Sequence, residues 1–253
     1  MRDCQGRLAH LFVAIGLLIA LSGCATTQSE PTDPLEGLNR ELDAVNSHLD
    51  AEIIEPVSDA YVEYLPGQLR QGVTNFFDNL GTPNDVLNSF LQGKLGDVIS
   101  GTGRFVINTT IGLGGFFDPA TMMGMEALNE DFGQTLGVYG VDEGAYLVLP
   151  LYGPNSTRDV WDFPVSYFTN PLTYFDLGLY TIPLVVIDAI DTRARLATAI
   201  KISNEALDPY VFRREGYRQR RIDLIYDGNP PDEELDSLEQ AEADAFEEPL
   251  PQS

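Results

Sequence analysis

The chain has 253 residues, of which 43% are hydrophobic, and its 39 acidic and 15 basic residues give a formal net charge of −24. This length suits one large domain or two small ones with a sizeable core. The acidity argues against wrapping nucleic acid and against general attraction to anionic lipid, and two Cys with two His argue against a structural zinc site.

The N-terminus has the pattern of an export signal. Two arginines precede the apolar run 11–22, which as a helix would span only ~18 Å and is too short to cross a bilayer. The run ends in LSGC at residues 21–24, which resembles a bacterial lipobox. We therefore predict a lipoprotein signal peptide over 1–23 and lipid attachment at Cys24. An ordinary signal peptide that happens to contain a cysteine is the alternative.

Lipid attachment would account for both cysteines. Cys4 leaves with the signal peptide and Cys24 is alkylated, so the mature chain would hold no disulfide although it is exported to an oxidising compartment. Two or three acyl chains hold a protein on a membrane stably, whereas one holds it weakly. Residue 25 is Ala and not the Asp associated with retention at the inner membrane, which favours delivery to the outer membrane.

The mature chain divides into three parts by composition. Residues 24–32 are predicted to form a short polar tether. Residues 33–226 hold nearly all the apolar periodicity and are predicted to fold as one mainly α-helical domain. Residues 227–253 contain ten acidic residues and no basic one. We predict that this acidic tail is disordered, because it cannot bury enough apolar surface to offset its ordering entropy.

Helices are predicted in sequence along the first half of the domain. Asp33 stands as a capping residue before Pro34 at the first helix start. Pro66 leads into a second helix and Pro83 opens a third. Apolar side chains recur at helical spacing along both, at Val73, Phe76, Phe77, Leu80, Val86, Leu87, Phe90 and Leu91.

Two glycine-rich stretches lie in the middle of the domain. An apolar run from Arg104 ends in glycines at 112–115, where a turn with close backbone approach is expected. The same glycines lack the complete spacing of a nucleotide-binding loop. Residues 137–153 are rich in Gly, Tyr and Val and are predicted to include a short hairpin.

The longest helix is expected to run from Thr181 to about Ser203, with an i, i+4 ion pair between Asp191 and Arg195. It overlaps residues 175–190, the most apolar segment of the mature chain. That segment is too short and too interrupted by Asp and Pro to span a bilayer. It is either a buried core helix or a surface lying against lipid, and the sequence leaves both open.

The sequence offers little for catalysis. His48 is the His that remains after cleavage, and its polar surroundings predict a solvated surface side chain and not a base held by a carboxylate. No HExxH, CxxC or phosphate-loop motif occurs, and no spacing singles out a pair of carboxylates. We therefore predict no enzyme activity, no metal and no cofactor. A two-carboxylate hydrolase stays open because acidic residues are plentiful.

Two local clusters are unusual. Between residues 161 and 180, 7 of 20 residues are aromatic, against 10% for the chain. Such rings favour the membrane–water interface, with an aromatic core as the alternative. The second cluster consists of arginines available for lipid phosphates, for a partner's carboxylates or for the chain's own acidic tail. Its members are Arg213, Arg214, Arg218, Arg220 and Arg221.

Short motifs in a fixed order over residues 33–225 resemble those of the MlaA (VacJ) family of lipoproteins. The matching motifs are 33–40 (DPLEGLNR), 61–70 (YVEYLPGQLR), 104–112 (RFVINTTIG), 114–116 (GGF), 132–137 (FGQTLG) and 208–210 (DPY). The chain departs from the family pattern at Asn155, where members more often have Ser, and in its long acidic tail.

The resemblance implies a ring-shaped helical domain with a central amphipathic channel, lipid-anchored in the outer membrane on the periplasmic side. Such a protein sits beside a trimeric porin, removes mislocalised phospholipids from the outer leaflet and passes them to the periplasmic carrier MlaC. This retrograde transport maintains lipid asymmetry. A porin-associated structural lipoprotein that conducts no lipid is the alternative.

Two sets of site residues follow from residue chemistry together with the resemblance. The channel gate is assigned to the glycine-rich stretch, at Gly137, Gly140, Gly144 and Tyr146. The membrane interface is assigned to aromatic residues, at Phe116, Phe117, Trp161, Tyr167, Phe168, Tyr174 and Phe175.

Overall fold

The computed structural model describes residues 33–175, 181–232 and 234. The predicted signal peptide, the tether with Cys24 and most of the predicted acidic tail lie outside the described residues, as do residues 176–180 of the apolar segment. Within the described ranges the chain is mainly helical, which confirms the predicted fold class.

The α-helices in chain order are α1 (Glu36–Leu49), α2 (Glu55–Tyr64), α3 (Gly67–Leu91), α4 (Leu95–Thr110), α5 (Pro119–Met122), α6 (Phe132–Val138), α7 (Asp162–Thr169), α8 (Thr181–Asn204) and α9 (Pro209–Ile225). A π-helical turn, Asp50–Ile54, joins α1 to α2, and the 3-10 turns Asp159–Trp161 and Pro171–Tyr174 flank α7. Strands β1 (Tyr146–Leu149) and β2 (Gly153–Ser156) form the predicted hairpin. They are antiparallel, with Tyr146 opposite Ser156 and Leu149 opposite Gly153.

Helix α3 runs without a break through Pro83, so the prediction that Pro83 opens a separate helix is wrong. A proline inside a helix removes a hydrogen bond and costs ~3 kcal/mol. Packing offsets this cost, because α3 contacts α4, α6, α7 and α8. The joined helix has 25 residues and α8 has 24, so α3 and not α8 is the longest described helix.

Helix α1 does not begin as predicted either. It starts at Glu36, and Asp33 caps nothing with its side chain. The Asp33 carboxylate is buried, accepts a hydrogen bond from Asn39 Nδ2 at 3.0 Å and another from the Tyr210 hydroxyl, and lies 3.5 Å from Arg214 Nη1. A buried carboxylate needs partners of this kind. Asp33 therefore ties the first residues of the domain to its last helix.

The buried side chains of the domain are mainly polar. Among the described residues, 22 polar or charged residues are buried, against five apolar ones. Four of those five form one small cluster, Tyr146, Val148, Tyr210 and Val211. On α3 the buried residues are Gly72, Asn79, Thr82, Asn88 and Ser89. The apolar stripes predicted on this helix are therefore not its buried side.

One buried carboxylate joins three helices. Asp191 on α8 accepts hydrogen bonds at 2.8 Å from Tyr61 on α2 and from Thr74 on α3. Arg195 Nε lies 3.2 Å from Asp191 Oδ2, which confirms the predicted ion pair. Burial and the bond to Asp191 raise the pKa of Tyr61, so it stays a protonated donor. The charge of Asp191 is thus compensated inside the domain.

The glycine turn after α4 brings two segments close together, as predicted. Gly115 has a φ of +94°, and a Cβ there would lie 2.5 Å from the Cβ of Asn79 on α3. Arg104 then holds the following segment through Asp118 and Thr121, each at 2.9 Å. Although partial burial opposes it, hydrogen bonding by Thr121 and Arg104 lowers the pKa of Asp118 to about 2.

Candidate functional site

An asparagine of α1 is hydrogen-bonded to the free edge of the hairpin. Asn39 Nδ2 donates to the carbonyl of Tyr146, and the amide of Val148 donates to Asn39 Oδ1, both at 2.9 Å. The side-chain amide therefore presents a donor and an acceptor as a neighbouring strand would. Both groups of β1 that would otherwise be unpaired are satisfied in this way.

Asn46 repeats the arrangement two helical turns later. Its Nδ2 donates to the carbonyl of Leu149, and the amide of Leu151 donates to its Oδ1, again at 2.9 Å. Seven residues of helix rise by ~10.5 Å and three residues of strand by ~10 Å, so the two repeats match. We call this pair of contacts the asparagine clamp. It fixes the hairpin to the first helix of the domain.

The predicted gate residues occupy different parts of this region. Gly137 lies in α6, where a Cβ would be 2.6 Å from Ile225 on α9. Gly140 and Gly144 have φ values of +81° and +72° in the loop before β1. Tyr146 is buried in the core cluster. The structure places Gly140 and Gly144 on one loop, whereas Gly137 and Tyr146 are packed positions; the gate itself stays a prediction.

Most of the predicted interface aromatics are exposed. The exposed ones are Phe117, Trp161, Tyr167, Phe168, Tyr174 and Phe175. Phe116 differs, because it is half-buried with its ring against Gly72, where a Cβ would lie 2.2 Å from the ring. The aromatic-core alternative for the cluster between residues 161 and 180 is therefore wrong for its five exposed rings, whereas Phe163 is half-buried and Tyr180 lies outside the described residues. Their contact with a membrane stays a prediction.

Two helices also present aliphatic side chains outward. The first half of α8 exposes Ile182, Val185, Val186 and Ile187, so the described part of segment 175–190 is a surface and not a core helix. Helix α4 and the residues after it expose Ile99, Val106, Ile111, Leu113, Met122 and Met123. Exposed apolar surface on this scale marks a contact with a membrane or with another protein.

The arginines of α9 are mostly paired inside the domain. The pairs are Arg213 with Asp43, Arg214 with Asp33 and Glu215, Arg218 with Glu143, and Arg221 with Asp131 and Asp159. The described part of the acidic tail supplies none of these carboxylates. Arg220 is exposed. The cluster is therefore mainly a structural network, and the interpretation as a site for lipid phosphates does not hold for the other four.

Two cavities open at the surface of the described chain. One, of about 530 Å³, lies between α4 and the end of α9 and is lined largely by acidic and backbone groups, including Asp97, Glu126, Glu130, Asp223 and Asp227. The other, of about 350 Å³, lies beside the hairpin, and we call it the hairpin cavity. It is lined by Phe132, Leu136, Val141, Asp142, Thr157, Arg158 and Trp161.

Asp85 on α3 carries an unusual carboxyl group. Its Oδ1 accepts a hydrogen bond from the amide of Glu130 at 3.1 Å. Burial, together with the neighbouring charges of Glu130, Asp78 and Asp131, raises the pKa of Asp85 to about 8. The group is therefore mostly neutral between about pH 4 and pH 8, where an ordinary Asp is charged.

The described residues contain no group of three or more His, Cys, Asp or Glu side chains that is arranged to hold a metal ion. No helix in the described ranges combines the length and the apolar character that crossing a membrane requires. His48 is exposed in the last turn of α1, which confirms the prediction of a solvated side chain.

Sequence reasoning missed the residues that organise the hairpin. Asn46 looked like an ordinary polar position of a helix, and Asn39 and Arg158 were matched to the family without any structural role being assigned to them. The available signal was the spacing of the two asparagines, seven residues apart on one side of α1. Hydropathy cannot reveal such residues, because it scores a buried polar group as a surface group.

The fold and these surfaces define a helical protein with a hydrogen-bonded polar interior, a clamped hairpin and apolar side chains facing outward. The family model described as MlaA lipoprotein matches residues 31–223. The chain belongs to the MlaA lipoprotein family.

Named relatives are similar along most of their length. The intermembrane phospholipid transport system lipoprotein MlaA of Escherichia coli K12 is 36% identical, and the match covers 96% of each chain. The protein of the same name from Haemophilus influenzae Rd is 31% identical over 86% of this chain and 91% of its own. A solved structure described as the structural basis for maintenance of bacterial outer membrane lipid asymmetry superposes with a TM-score of 0.69. It is 34% identical and covers 78% of this chain and 99% of that one.

Proposed function

We propose that this protein is an outer-membrane lipoprotein that removes mislocalised phospholipids from the outer leaflet and passes them to a periplasmic carrier. The observation that carries the proposal is the reversal of polarity in the domain, with polar groups buried and aromatic and aliphatic groups exposed. The names of the relatives support phospholipid as the cargo and the maintenance of lipid asymmetry as the purpose.

The physical problem is the cost of moving acyl chains through water. Each exposed CH₂ group costs about 0.8 kcal/mol, so a bare phospholipid does not cross the aqueous gap at a useful rate. A ring-shaped domain with a central amphipathic channel, as the family resemblance implies, would keep the chains covered. The loop of Gly140 and Gly144 would be its gate. The protein then consumes no energy and performs no chemical step, and the carrier sets the direction by binding the lipid.

Two partners complete the proposal. The exposed side chains of α4, α7 and α8 would lie against lipid and against a porin trimer, because both offer apolar surface. The carrier, MlaC, would take the lipid on the periplasmic side. Lipid attachment at Cys24 would hold the domain on the inner leaflet, with Tyr167, Phe168, Tyr174 and Phe175 at the interface.

The first experiment tests transport itself. Deleting the gene should raise the amount of phospholipid in the outer leaflet and sensitise cells to detergent with a chelator, and a plasmid copy should reverse both. Surface phospholipid is measured by labelling with an amine-reactive probe that does not cross the membrane. An outer leaflet that stays normal in a clean deletion would contradict the proposal.

A second experiment separates transport from the alternative of a porin-bound scaffold. Gly144 lies in the proposed gate loop, and a Cβ there would lie 3.5 Å from the Cβ of Thr157, a distance that a disulfide can bridge. Gly144→Cys with Thr157→Cys should therefore form a disulfide that locks this loop to the segment after β2. Locking should block transport but leave porin co-purification intact, and reduction should restore transport. Each single Cys variant is the control. Transport that continues in the locked protein would favour a different gate.

Anchoring is tested in membrane fractions. Cys24→Ala should release most of the protein from washed membranes if the acyl chains are the main anchor. Combining it with Phe168→Ser and Phe175→Ser should release the remainder, because each buried ring contributes about 1.5 to 3 kcal/mol. Tyr64→Ser, an exposed aromatic change on α2, is the control. Full retention of the triple variant would overturn the assigned interface.

A further inference from the structure

The hairpin cavity combines two kinds of lining. Phe132 and Leu136 from α6, with Val141 from the following loop, supply apolar side chains. Arg158 and Thr157 supply polar ones. Pockets of ~300–1,000 Å³ lined mainly by apolar groups with a few convergent polar groups are the usual form of a small-molecule site. At about 350 Å³ the cavity has room for a head group and the beginning of two acyl chains, and not for a whole phospholipid.

Arg158 is held as an anion-binding group would be. It is buried, and Asp159 fixes its guanidinium through Nε at 2.8 Å and Nη2 at 3.4 Å. The remaining nitrogen, Nη1, makes a long contact of 3.5 Å with the carbonyl of Val141, which lines the cavity. Arg158 and Val141, the acceptor of this long contact, both line the cavity. Planar guanidinium groups of this kind bind phosphate through paired donors.

The counter-charge of Arg158 is shared with other groups. Asp159 also lies 2.8 Å from Arg221 Nε and accepts a hydrogen bond from the Tyr217 hydroxyl. One carboxylate thus serves two guanidinium groups, although Arg221 has a second carboxylate in Asp131. Asp142 lines the cavity as well, but it is exposed, so water weakens its repulsion of an anion.

Trp161 joins the cavity to the exposed aromatic residues. It lines the cavity and is also exposed to the outside, at the end of the 3-10 turn that leads into α7, the helix that carries Tyr167 and Phe168. An acyl chain that leaves the cavity past Trp161 would continue over apolar side chains. Tryptophan is favoured at the level of lipid head groups, where one side is apolar and the other wet.

We propose that the hairpin cavity binds one phospholipid, with the phosphate at Arg158 and the first part of the acyl chains along Phe132, Leu136 and Val141. The rest of each chain extends past Trp161 over the exposed aromatic surface. This inference rests on the proposed function, since it identifies a place on the lipid's route. It explains why Arg158, whose Nη1 makes a long hydrogen bond of 3.5 Å, lines a largely apolar cavity beside the hairpin.

The test compares two valines with the same substitution. Val141 lines the cavity and is 45% exposed, while Val138, three residues earlier, is 44% exposed and does not line it. The full-length protein is purified in a non-ionic detergent, and the phospholipid it retains is counted by native mass spectrometry. Val141→Phe should fill the cavity and lower retention roughly tenfold, the effect of no longer burying about two CH₂ groups of the acyl chains. Val138→Phe should retain lipid as the natural protein does.

Other outcomes overturn the proposal. Unchanged retention in Val141→Phe would exclude the cavity as the site, and equal loss in both variants would show that lipid binds to apolar surface in general. The phosphate contact is tested separately with added diacylglycerol, which lacks a phosphate and should not be retained. Inorganic phosphate in excess should not displace the phospholipid, and displacement would indicate a simple anion site. Retention in vitro is independent of the deletion phenotype, so failure of the site and failure of the transport function are distinguishable.

Discussion

The buried residues and the exposed residues of this domain differ in the kind of side chain they carry. Around the hairpin, α1 and α9 meet through Asn39, Asp33 and Arg214, all buried and all hydrogen-bonded. Along α4 and α8, apolar side chains such as Ile99 and Val185 stand exposed. In a typical water-soluble domain the buried side chains are mainly apolar and the exposed ones are more often polar.

The difference shows how a small chain can present apolar surface outward and still fold. Polar groups in the interior must be fully paired, because each unpaired one costs about 1 to 3 kcal/mol. The asparagine clamp, the contacts of Asp191 and the arginine pairs provide much of that pairing. Stability should therefore depend on single hydrogen-bonding groups among the buried residues and hardly at all on the exposed apolar ones.

Asp191→Ala should have the largest effect. The change removes the shared partner of Tyr61, Thr74 and Arg195 and leaves two hydroxyl donors without their acceptor. We expect the free energy of unfolding to fall by about 3 to 5 kcal/mol, because each partly buried donor that loses its acceptor costs about 1 to 3 kcal/mol. Thermal unfolding in detergent, followed by circular dichroism, measures it. Asp188→Ala, one turn earlier on α8, is the control, and equal losses in the two variants would contradict the role of Asp191.

Breaking the asparagine clamp should give the next largest effect. Asn39→Ala leaves two groups of β1 unpaired in a buried place and should cost about 2 to 4 kcal/mol, whereas Asn46→Ala should cost less because Asn46 is half-buried. Hydrogen exchange resolves the two contacts. The amide of Val148 should exchange faster in Asn39→Ala and that of Leu151 faster in Asn46→Ala. Uniform acceleration in both variants would indicate general loosening instead.

The charge of Asp85 should make stability depend on pH. Because the pKa of Asp85 is about 8 in the folded protein, well above that of an ordinary Asp, the folded state binds an extra proton between about pH 4 and 8. Stability should therefore fall as pH rises from about 4 to 8. Asp85→Asn should remove this dependence and stabilise the protein at pH 8. Asp59→Asn, an exposed change on α2, should show no such gain.

The smallest effect on the free energy of unfolding is expected at the exposed aromatic residues. Phe168→Ser and Phe175→Ser should each change the free energy of unfolding in detergent by less than about 0.5 kcal/mol, because both rings are already exposed. Val148→Ser, in the core cluster, is the contrasting variant and should cost several times more. A large loss of stability in the Phe variants would show that these rings pack within the domain.

Much of the fold could be predicted from local patterns in the sequence. The glycine turn, the hairpin and the ion pair of Asp191 with Arg195 depend on residues close in sequence, and the structure has them as expected. The prediction that a helix begins at Pro83 was wrong because packing along α3 outweighs the helix-breaking tendency of a single proline. The prediction that Asp33 caps the first helix was wrong because the side chain binds Tyr210 instead, and Tyr210 is distant in sequence.

The site itself was only partly visible in the sequence. The aromatic residues between Trp161 and Phe175 could be found from the sequence, because their local density is far above that of the whole chain. Five of these rings are exposed, as expected for a surface that lies in an apolar environment. The clamp and the hairpin cavity were not found, because both depend on contacts between segments that are more than a hundred residues apart or on the shape that several segments enclose. No window of local sequence contains that information.

The contact between Asp33 and α9 has a consequence for the order of folding. Asp33 pairs with Tyr210 and Arg214, which lie 177 and 181 residues further along the chain. Contacts of such long range form late, because a large loop must close first. Asp33 is synthesised long before its partners, so its buried carboxylate stays unpaired until nearly the whole domain is present. This contact should therefore close in one of the last steps of folding.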